Sequence, residues 1–565
     1  MDYKRIIAKL IRIEGVGEEE IYASLGVPPR RENGEYCLPC FKFSKALRLS
    51  PVAIADKLKS EIVLPPEIGS VESVAGYLNF KLNRAQLAKE VLQSVAAKGE
   101  TFAPHAANGK TVCIDYSSVN IAKPFHIGHL LTTAIGGSLY RIFNYLGYRA
   151  VGINHLGDWG TQFGKLVSAY KRWGNEQDIA ARGVLALNEL YVRFHKEAET
   201  DPALEEEGRH YFKLIEEGDK ETVRLFERFK EITLEEVKKV YERLGIAFDS
   251  YAGESFYNDK MQPIIDELEQ KGLLTESDGA KVVDLSDCDM PPCLILKKDG
   301  ATLYATRDLA AAQYRRDTYN FYKSLYVVAY QQNLHFKQVF KVLEKMGREW
   351  AKDCVHVPFG MVSLEGGASL STRKGNVVWL KDVLSTAVEK AGNIIAEKNP
   401  ALENKADVAE KVGVGAIVFS ALSASRIKDM VFSYDKALSF EGETAPYLQY
   451  THARCASILA KGGYQAGGTQ NADFGALCDD ETTDVIALLA RYENVVEEAA
   501  QKYEPCLISR YLLDLAQSYN RFYIDHRVVT DDTAVSAARL LLTACVKNTL
   551  RNGLELLLIK APEKM

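Results

Sequence analysis

The residues best suited to chemistry are two histidines, His126 and His129, in the string NIAKPFHIGH at positions 120–129. They are three positions apart, so at the beginning of a helix they share one face, beside backbone N–H groups and the positive end of the helix dipole. Such a helix end attracts phosphate. Neutral imidazoles, expected at pH 7 from an ordinary pKa of about 6.5, donate N–H bonds to an α-phosphate as its charge redistributes. The pattern predicts phosphate chemistry.

Two neighbours of the histidines support this prediction. Gly128 has no side chain, so an adenine ring can lie against the backbone there. Lys123 brings an ammonium group that can stabilise charge developing on pyrophosphate. The alternative is that both histidines only cap and pack a helix, and the strand pattern directly before them counts against it.

The flanking residues indicate the elements that position this string. TVCIDYSS before it has a strand pattern, HIGHLLTTAIGGSLYRIFNYLGY is an amphipathic helix, and RAVGINHLGDWG begins as a second strand that breaks at Gly157. This βαβ unit predicts a parallel sheet with a right-handed crossover. From Val167 to about Ile246 the chain is charged and helical in period, which predicts a helical insertion. Strand patterns return in CLILKKDGATLYAT and SLYVVAYQQ, which we expect to continue the α/β pattern.

The predicted fold class is a multidomain α/β protein. We expect an α+β amino-terminal domain at residues 1–105, which ends in the linker-like AAKGETFAPHAANGK. A Rossmann-type catalytic domain with a parallel sheet follows at 106–400, with the helical insertion at about 167–246. After ALENKADVAEKV the strand patterns fade, so residues 401–565 predict an all-α carboxy-terminal bundle.

Composition, net charge and cysteine spacing limit the kinds of binding site and cellular location that we expect. The chain has 565 residues, 47% hydrophobic and 26% charged, and a net charge of -6, so any nucleic-acid site must be a local patch. The first residues lack a signal peptide's apolar core, and no apolar run approaches roughly 18 residues, so we expect no membrane association. The ten cysteines include one close pair, Cys37 and Cys40, with no partner motif for a zinc site. Reduced thiols and a cytoplasmic location are therefore expected.

Several strings, in order, resemble the characteristic stretches of the arginyl-tRNA synthetase family: SSVNIAKPFHIGHL, GINHLGDWGTQFG, TLYATRDLAAAQYR and PYLQYTHAR. The HIGH string itself resembles the class I aminoacyl-tRNA synthetase signature at the first strand-to-helix turn of a Rossmann domain. The likeness spans essentially the whole chain. It implies a monomeric ligase that activates L-arginine with ATP to arginyl-adenylate and transfers it to the 3′-terminal ribose of tRNA(Arg), releasing AMP and pyrophosphate. It also implies that Mg²⁺ enters with ATP, with no tightly bound metal.

Class I enzymes carry a second signature, KMSKS, whose match here is SLSTR at 369–373, followed by KGN. Ser369 replaces the first lysine, and the resemblance implies that Lys123 supplies the missing charge. The alternative for this string is a solvated basic turn. The implied catalytic residues are Lys123, His126, Gly128, His129, Ser371, Thr372, Arg373 and Lys374.

A planar guanidinium with five donors needs carboxylates and oriented acceptors in its pocket. Asp115, Tyr304 and Asp308 can all lie at the carboxyl end of a parallel sheet, where ligands bind in such folds. The alternative for Asp308 is a first-turn helix residue favoured by the dipole. The resemblance implies that Tyr304 and Asp308 hold the guanidinium. It assigns contacts with the other polar atoms of the substrate to Asp115, Ser118, Asn120 and Gln332.

The resemblance also implies contacts for ATP and tRNA. The ATP residues are His126, His129, Gly157, Asp158, Met361 and Val362. The tRNA residues are Tyr447, Tyr450, Arg454, Tyr523 and Met565, with the amino-terminal domain on the tRNA elbow. Tyrosine rings can stack on unstacked bases, although tyrosines at helical spacing are also typical of a core. Val119 departs from the family's proline, which leaves the pose of the Asn120 amide open.

Two other functions remain at this point. A class I synthetase for cysteine would use a thiol-selecting zinc site, and the cysteine spacing offers none. A former synthetase kept as a tRNA-binding scaffold is favoured only by the loss of the first KMSKS lysine.

Overall fold

The structure, a computed structural model, describes residues 3–364, 378–467 and 471–565. Its strands are β1 (Tyr36–Pro39), β2 (Ile68–Val74), β3 (Tyr77–Leu82), β4 (Thr111–Asp115), β5 (Arg149–Ile153), β6 (Leu274–Ser277), β7 (Ala280–Val283), β8 (Cys293–Leu296), β9 (Lys323–Tyr326), β10 (Cys354–His356), β11 (Val362–Leu364) and β12 (Met430–Phe432).

The helices up to the end of the predicted catalytic domain are α1 (Tyr3–Leu10), α2 (Glu18–Ser24), α3 (Ser44–Leu47), α4 (Pro51–Glu61), α5 (Arg84–Ala97), α6 (Leu130–Tyr145), α7 (Thr161–Trp173), α8 (Glu176–Arg182), α9 (Val184–Ala198), α10 (Ala203–Glu216), α11 (Lys220–Leu244), α12 (Met261–Gln270), α13 (Tyr304–Tyr319), α14 (Asn333–Lys345) and α15 (Leu380–Lys398). The later helices are α16 (Lys405–Leu422), α17 (Tyr434–Ala437), α18 (Ala445–Lys461), α19 (Asp480–Ala490), α20 (Tyr492–Lys502), α21 (Cys506–Asp525) and α22 (Thr533–Leu556).

The chain forms two units. The first comprises Met1–Phe102, Arg454–Glu493 and Leu513–Leu550; the second comprises Ala103–Ala453, Asn494–Leu512 and Arg551–Met565. The helices after residue 401 are therefore shared between the units.

The amino-terminal residues form an antiparallel sheet with the strand order β1-β3-β2, against which α4 packs. The inward side chains of this sheet, Leu38, Leu78 and Phe80, are fully buried. Ser50 starts α4, because its hydroxyl accepts a hydrogen bond from the backbone N–H of Ala53 and a proline follows it. The predicted α+β amino-terminal domain is confirmed.

The second unit contains a four-stranded parallel sheet with the order β10-β9-β4-β5. The central strand β4 carries Val112, Cys113 and Ile114, all fully buried, as expected for a parallel strand covered on both faces. The chain moves from β4 to β5 on one side and later returns to β9 on the other. The strand order thus reverses between β4 and β9, and ligands bind outside the carboxyl ends of strands at such a point.

One strand prediction was wrong in its sheet assignment. CLIL does form a strand, β8, but it joins an antiparallel sheet with the order β6-β7-β8 and does not extend the parallel one. Its side chains explain the difference: Cys293 and Ile295 are buried while Leu294 between them is 40% exposed. This alternation is typical of a half-covered antiparallel strand.

The predicted helical insertion corresponds to α7–α11. In it α7 and α10 lie close together, because a Cβ on Gly164 would be 2.0 Å from the backbone oxygen of Gly208. The longest of these helices, α11, begins after Asp219, whose carboxylate accepts from the N–H of Thr222, and ends at the left-handed Gly245.

After α15 the described elements are helical except for β12, which lies within the predicted all-α region and pairs in parallel with β11. The predicted helical carboxy-terminal region is confirmed for the helices that follow β12. The string TTDVIALLARYENVVEEAAQ forms two helices, α19 and α20, separated at Arg491. Among the described residues, no helix combines the length and apolar character needed to span a membrane.

Gly136 in α6 provides a test of how the parallel sheet is packed. A Cβ at this position would lie 2.2 Å from the Cβ of Tyr116, which directly follows β4. Gly136→Ala should therefore destabilise the protein by about 1–3 kcal/mol through overpacking. We expect a lower apparent midpoint in thermal unfolding at a fixed scan rate.

The matched control is Gly392→Ala in α15, where the new Cβ would make an ordinary 3.6 Å contact with Ala409. Because alanine favours helix more than glycine, this variant should keep or raise the midpoint. Equal effects of the two substitutions would contradict the packing argument.

Candidate active site

The HIGH string forms the turn between β4 and α6. His126 is extended, with φ -99° and ψ 167°, and Ile127–His129 is a single 3-10 turn that leads into α6. The two imidazole rings lie 4.1 Å apart, centroid to centroid. His126 Nδ1 accepts from the N–H of Gly128 at 3.0 Å, and His129 Nδ1 is 3.3 Å from the backbone nitrogen of His126. The histidines are thus held side by side at a helix start.

Both imidazoles are neutral at pH 7. Burial, and then the neighbouring ring of His126, lower the pKa of His129 to about 3. Burial and the charge of Lys123 lower the pKa of His126. These rings therefore act through N–H donation and not as permanent cations. A Cβ on Gly128 would lie 2.7 Å from the ring of His126, so the lack of a side chain at Gly128 lets this imidazole lie against the helix start.

The loop between β4 and the histidines has a strained backbone. Ser117, Ser118 and Ala122 have φ values of 68°, 44° and 59°, in the left-handed region that side chains rarely adopt. Two residues of α11 hold it: Tyr241 Oη lies 2.7 Å from Ser117 Oγ, and Thr233 Oγ1 accepts from the N–H of Ala122 at 3.1 Å. The helical insertion thus fixes the shape of the signature loop.

Asn120 and Gly157 pair across the strand ends. Ile121 N–H donates to Gly157 O at 3.1 Å, and Gly157 N–H donates to Val119 O at 3.0 Å. A Cβ on Gly157 would lie 2.3 Å from Asn120 Oδ1, so only glycine admits this side chain. Val119 takes part in this pairing through its carbonyl oxygen. Asn120, which follows it, is exposed at the ends of the strands.

Asp158, predicted to contact ATP, is completely buried and bound by protein groups. Ser255 donates to it through its N–H at 2.9 Å and its hydroxyl at 2.7 Å, and Lys230 Nζ lies 2.6 Å from Oδ2. Both carboxylate oxygens thus have partners within the chain. The sequence did not indicate this, because Lys230 lies in the helical insertion, far along the chain.

Asp115, predicted to contact the arginine substrate, forms a buried ion pair with Arg315 of α13. Arg315 Nη2 donates to Asp115 Oδ2 at 2.7 Å, and Ser118 Oγ donates to Oδ1 at 2.8 Å. Arg315 is 1% exposed and Asp115 is 6% exposed. The carboxylate of Asp115 is thus bound by the protein's own guanidinium at Oδ2 and by Ser118 at Oδ1, and its contact with the substrate stays a prediction.

Asp308 stands in the second turn of α13 and retains access to solvent, with 22% of its side chain exposed. Its Oδ2 is 2.6 Å from His335 Nε2. Burial raises the pKa of Asp308, but the hydrogen bond and charge of His335 and the nearby charges of His155 and Arg315 bring it below its usual value. The carboxylate is therefore ionised at neutral pH.

The other two predicted arginine residues are on the surface nearby. Tyr304 is 66% exposed at the start of α13, one helical turn before Asp308. Gln332 is exposed and directly precedes α14, three residues before His335. The structure thus brings the ends of α13 and α14 together through the contact between Asp308 and His335.

Sequence reasoning missed Glu254. This carboxyl lies 3.7 Å from Arg307 Nη1 and is 15% exposed. Burial raises its pKa to about 7; Arg307 lowers that pKa, and the negative charges of Asp308 and Asp158 raise it. No motif drew attention to the string AGESF. The signal is tertiary: a second buried carboxyl within the field of Asp308 is a candidate site group.

Lys123 lies close enough to His126 to lower its pKa and is 5.9 Å from the ring centroid of Tyr191.

The strand β11 packs against the 3-10 turn of the histidines. Val362 in this strand is buried, and Met361 just before it is 40% exposed. Ser371, Thr372, Arg373 and Lys374 lie outside the described residues. At Val378 the chain contacts the HIGH string again, because the backbone N–H of Ile127 donates to Val378 O at 3.0 Å.

The predicted tRNA residues are on the carboxy-terminal helices and at the chain end. Tyr450 and Tyr523 are 43% and 39% exposed, so they are not core tyrosines, whereas Tyr447 is half-buried. Arg454 donates to Asn520 Oδ1 at 2.8 Å and lies 5.4 Å from the ring centroid of Tyr523. The backbone oxygen of Met565 accepts from Asn399 at 3.1 Å.

Among the described residues, no three His, Cys, Asp or Glu side chains are grouped to hold a metal ion.

Three family models match the chain in sequence. "Arginyl tRNA synthetase N terminal domain" matches residues 2–82, "tRNA synthetases class I (R), catalytic domain" matches 90–434, and "DALR anticodon binding domain" matches 448–565. The catalytic match contains every candidate residue described above except those on the carboxy-terminal helices and at the chain end.

Full-length relatives and a solved structure agree with these matches. The chain is 50% identical to an arginine–tRNA ligase of Alkaliphilus metalliredigens and 49% identical to one of Halothermothrix orenii, with 100% of each chain covered. The structure of Thermus thermophilus arginyl-tRNA synthetase is similar with a TM-score of 0.80 and 28% identity, over 96% of both chains. The chain therefore belongs to the arginyl-tRNA synthetase family, within the class I aminoacyl-tRNA synthetases.

Proposed function

We propose that this protein joins L-arginine to tRNA(Arg) at the expense of ATP, which enters as its Mg²⁺ complex. The observation that carries the proposal is the pairing of two neutral histidines at a helix start with the ionised Asp308, both at the carboxyl edge of one parallel sheet. The histidines suit a phosphate and the carboxylate suits a cation, so the site fits a substrate pair of ATP and arginine.

In the first step a carboxylate oxygen of arginine attacks the α-phosphorus of ATP. The bond from that phosphorus to the bridging oxygen of the β-phosphate breaks, and pyrophosphate leaves with the bonding electrons. No proton transfer is needed, so the protein acts by positioning and by stabilising charge. His126 and His129 donate N–H bonds to the α-phosphate oxygens. The ammonium of Lys123 stabilises the leaving pyrophosphate.

Further contacts with ATP involve the same side of the site. We assign contacts with the adenosine to Gly157, Met361 and Val362, and contacts with the triphosphate also to Ser371, Thr372, Arg373 and Lys374. Gly128 allows the close approach of His126 to its own helix start. Asp158 acts indirectly, because its carboxylate holds the backbone and hydroxyl of Ser255, next to Glu254.

We base arginine selection on the carboxyl groups near the start of α13 and on the partners that each of them already has. Arg315 neutralises Asp115, and Lys230 neutralises Asp158. We assign the guanidinium to Asp308, which His335 binds at Oδ2, and to Glu254, which lies 3.7 Å from Arg307 Nη1, with the hydroxyl of the exposed Tyr304 beside Asp308. Charge-assisted hydrogen bonds contribute roughly 1.5–3 kcal/mol each, so losing two of them with lysine would cost about a hundredfold to ten-thousandfold in selection.

We assign contacts with the other polar atoms of arginine to Asn120 and Gln332, whose exposed side-chain amides lie at the sheet edge. Ser118 and Asp115 support Asn120 from the strained loop through their mutual hydrogen bond. Because the loop is held by Tyr241 and Thr233, this arrangement is fixed before substrate binds.

In the second step a hydroxyl of the 3′-terminal ribose attacks the carbonyl carbon of arginyl-adenylate. An ester bond forms, AMP leaves, and the hydroxyl proton is released. We assign anticodon contacts to Tyr447, Tyr450, Arg454, Tyr523 and Met565, and contacts with the tRNA elbow to the amino-terminal domain. Exposed tyrosine rings suit unstacked bases. The unpaired cysteines support a cytoplasmic location.

The direct test is ATP–pyrophosphate exchange by the purified protein with each of the twenty amino acids, with and without bulk tRNA. We expect exchange with arginine alone, and only when tRNA is added. Exchange with a different amino acid would refute the pocket assignment. Nucleotide binding without exchange would instead support a tRNA-binding scaffold.

Asp308→Asn tests the guanidinium site. The amide keeps the size of the side chain but removes the charge that attracts the substrate, so the KM for arginine should rise about tenfold or more. The KM for ATP should stay within about twofold of its native value. Steady-state aminoacylation at varied arginine and ATP gives both constants. An unaltered arginine KM would eliminate Asp308 from the site.

The raised pKa of Glu254 predicts a pH dependence of arginine recognition. Its carboxyl is largely ionised at pH 8 and largely protonated at pH 6, so kcat/KM for arginine should fall about tenfold between these values. Glu254→Gln should have a lower kcat/KM throughout and a flatter profile, because no titrating carboxyl remains there. A native profile that is flat, or a slope that persists unchanged in Glu254→Gln, would contradict this assignment.

A further inference from the structure

We propose that His335 is a positioning residue for arginine recognition, which holds the carboxylate of Asp308 in the orientation that accepts a guanidinium. This inference rests on the proposed function. His335 itself does not contact the substrate and acts through Asp308 alone.

The geometry of the pair supports this role. His335 Nε2 lies 2.6 Å from Asp308 Oδ2, and the two side chains are 24% and 22% exposed. Among the described residues, His335 is the only one with a side-chain hydrogen bond to this carboxylate. A short bond to a charged acceptor restricts rotation of the carboxylate and leaves Oδ1 as the oxygen that can accept from a ligand.

The imidazole is itself anchored. It stands in the first turn of α14, next to Phe336, which is 6% exposed and 5.3 Å from the His335 ring, centroid to centroid. Phe336 stacks on His356 of β10 at 4.7 Å and contacts Tyr326 of β9 at 5.1 Å. The parallel sheet therefore supports α14, and α14 presents His335 to Asp308.

The nearby cation cannot replace His335 in this role. Arg315 lies on the same helix as Asp308 and lowers its pKa, but its hydrogen bond goes to Asp115 Oδ2. It stabilises the charge on Asp308 without fixing the plane of the carboxylate. Guanidinium recognition depends on that plane, because the donors of the substrate form a rigid planar fork.

The test compares three variants in steady-state aminoacylation with varied arginine. His335→Ala removes the donor, so the KM for arginine should rise about tenfold, with kcat and the KM for ATP within about twofold of native. His335→Gln places an amide N–H at the reach of the imidazole Nε2 and should restore the arginine KM to within about threefold of native. His210→Ala, an exposed histidine of α10, is the control and should change nothing.

Two results would overturn the proposal: an arginine KM in His335→Ala equal to the native value, or a glutamine variant as impaired as the alanine variant. Asp308→Asn in the same assay separates this failure from failure of the proposed function. A raised KM in Asp308→Asn with a native His335→Ala would refute only the role of His335. An arginine KM unaffected by both substitutions would also remove the guanidinium site.

Discussion

The ion pair between Arg315 and Asp115 connects the two halves of the candidate site. It joins α13, which carries the predicted guanidinium residues, to the end of β4, from which the histidine loop begins. Both partners are almost completely buried, so removing either would leave an unpaired charge, at a cost of about 3–5 kcal/mol. The pair also determines the charge of the pocket. Because it neutralises Asp115, the proposed site for a substrate cation depends on Asp308, whose Oδ2 is bound by His335, and on Glu254, which lies 3.7 Å from Arg307.

The helical insertion contributes to the site as much as the sheet does. Tyr241 and Thr233 of α11 bind the strained loop, and Lys230 of the same helix neutralises Asp158. Strained backbone persists only where surrounding contacts enforce it, and here those contacts come from α11 and from Thr132 and Thr133 of α6, which bind Ser117. The neutral histidines, the pocket carboxyls and α11 therefore form one connected structure.

Much of the fold and part of the site could be predicted from sequence, because those features depend on neighbouring residues. The βαβ unit, the insertion and the position of His126 and His129 follow from hydrophobic period and local spacing. The pairing of Asp115 with Arg315, 200 positions away, has no local signal, and neither does the burial that raises the pKa of Glu254. Whether β8 joins the parallel or the antiparallel sheet also depends on which strand pairs with it. Side-chain partners are decided by tertiary packing, which a single sequence does not display.

In the proposed function, Asp308 accepts the guanidinium of the substrate, while Asp115 stays paired with the protein's own Arg315. A crystal structure of the protein with bound arginine measures this directly. The account predicts guanidinium nitrogens of the ligand about 2.7–3.1 Å from Asp308, with Arg315 still paired to Asp115 and His335 still bonded to Asp308. A ligand guanidinium on Asp115, with Arg315 displaced, would contradict it.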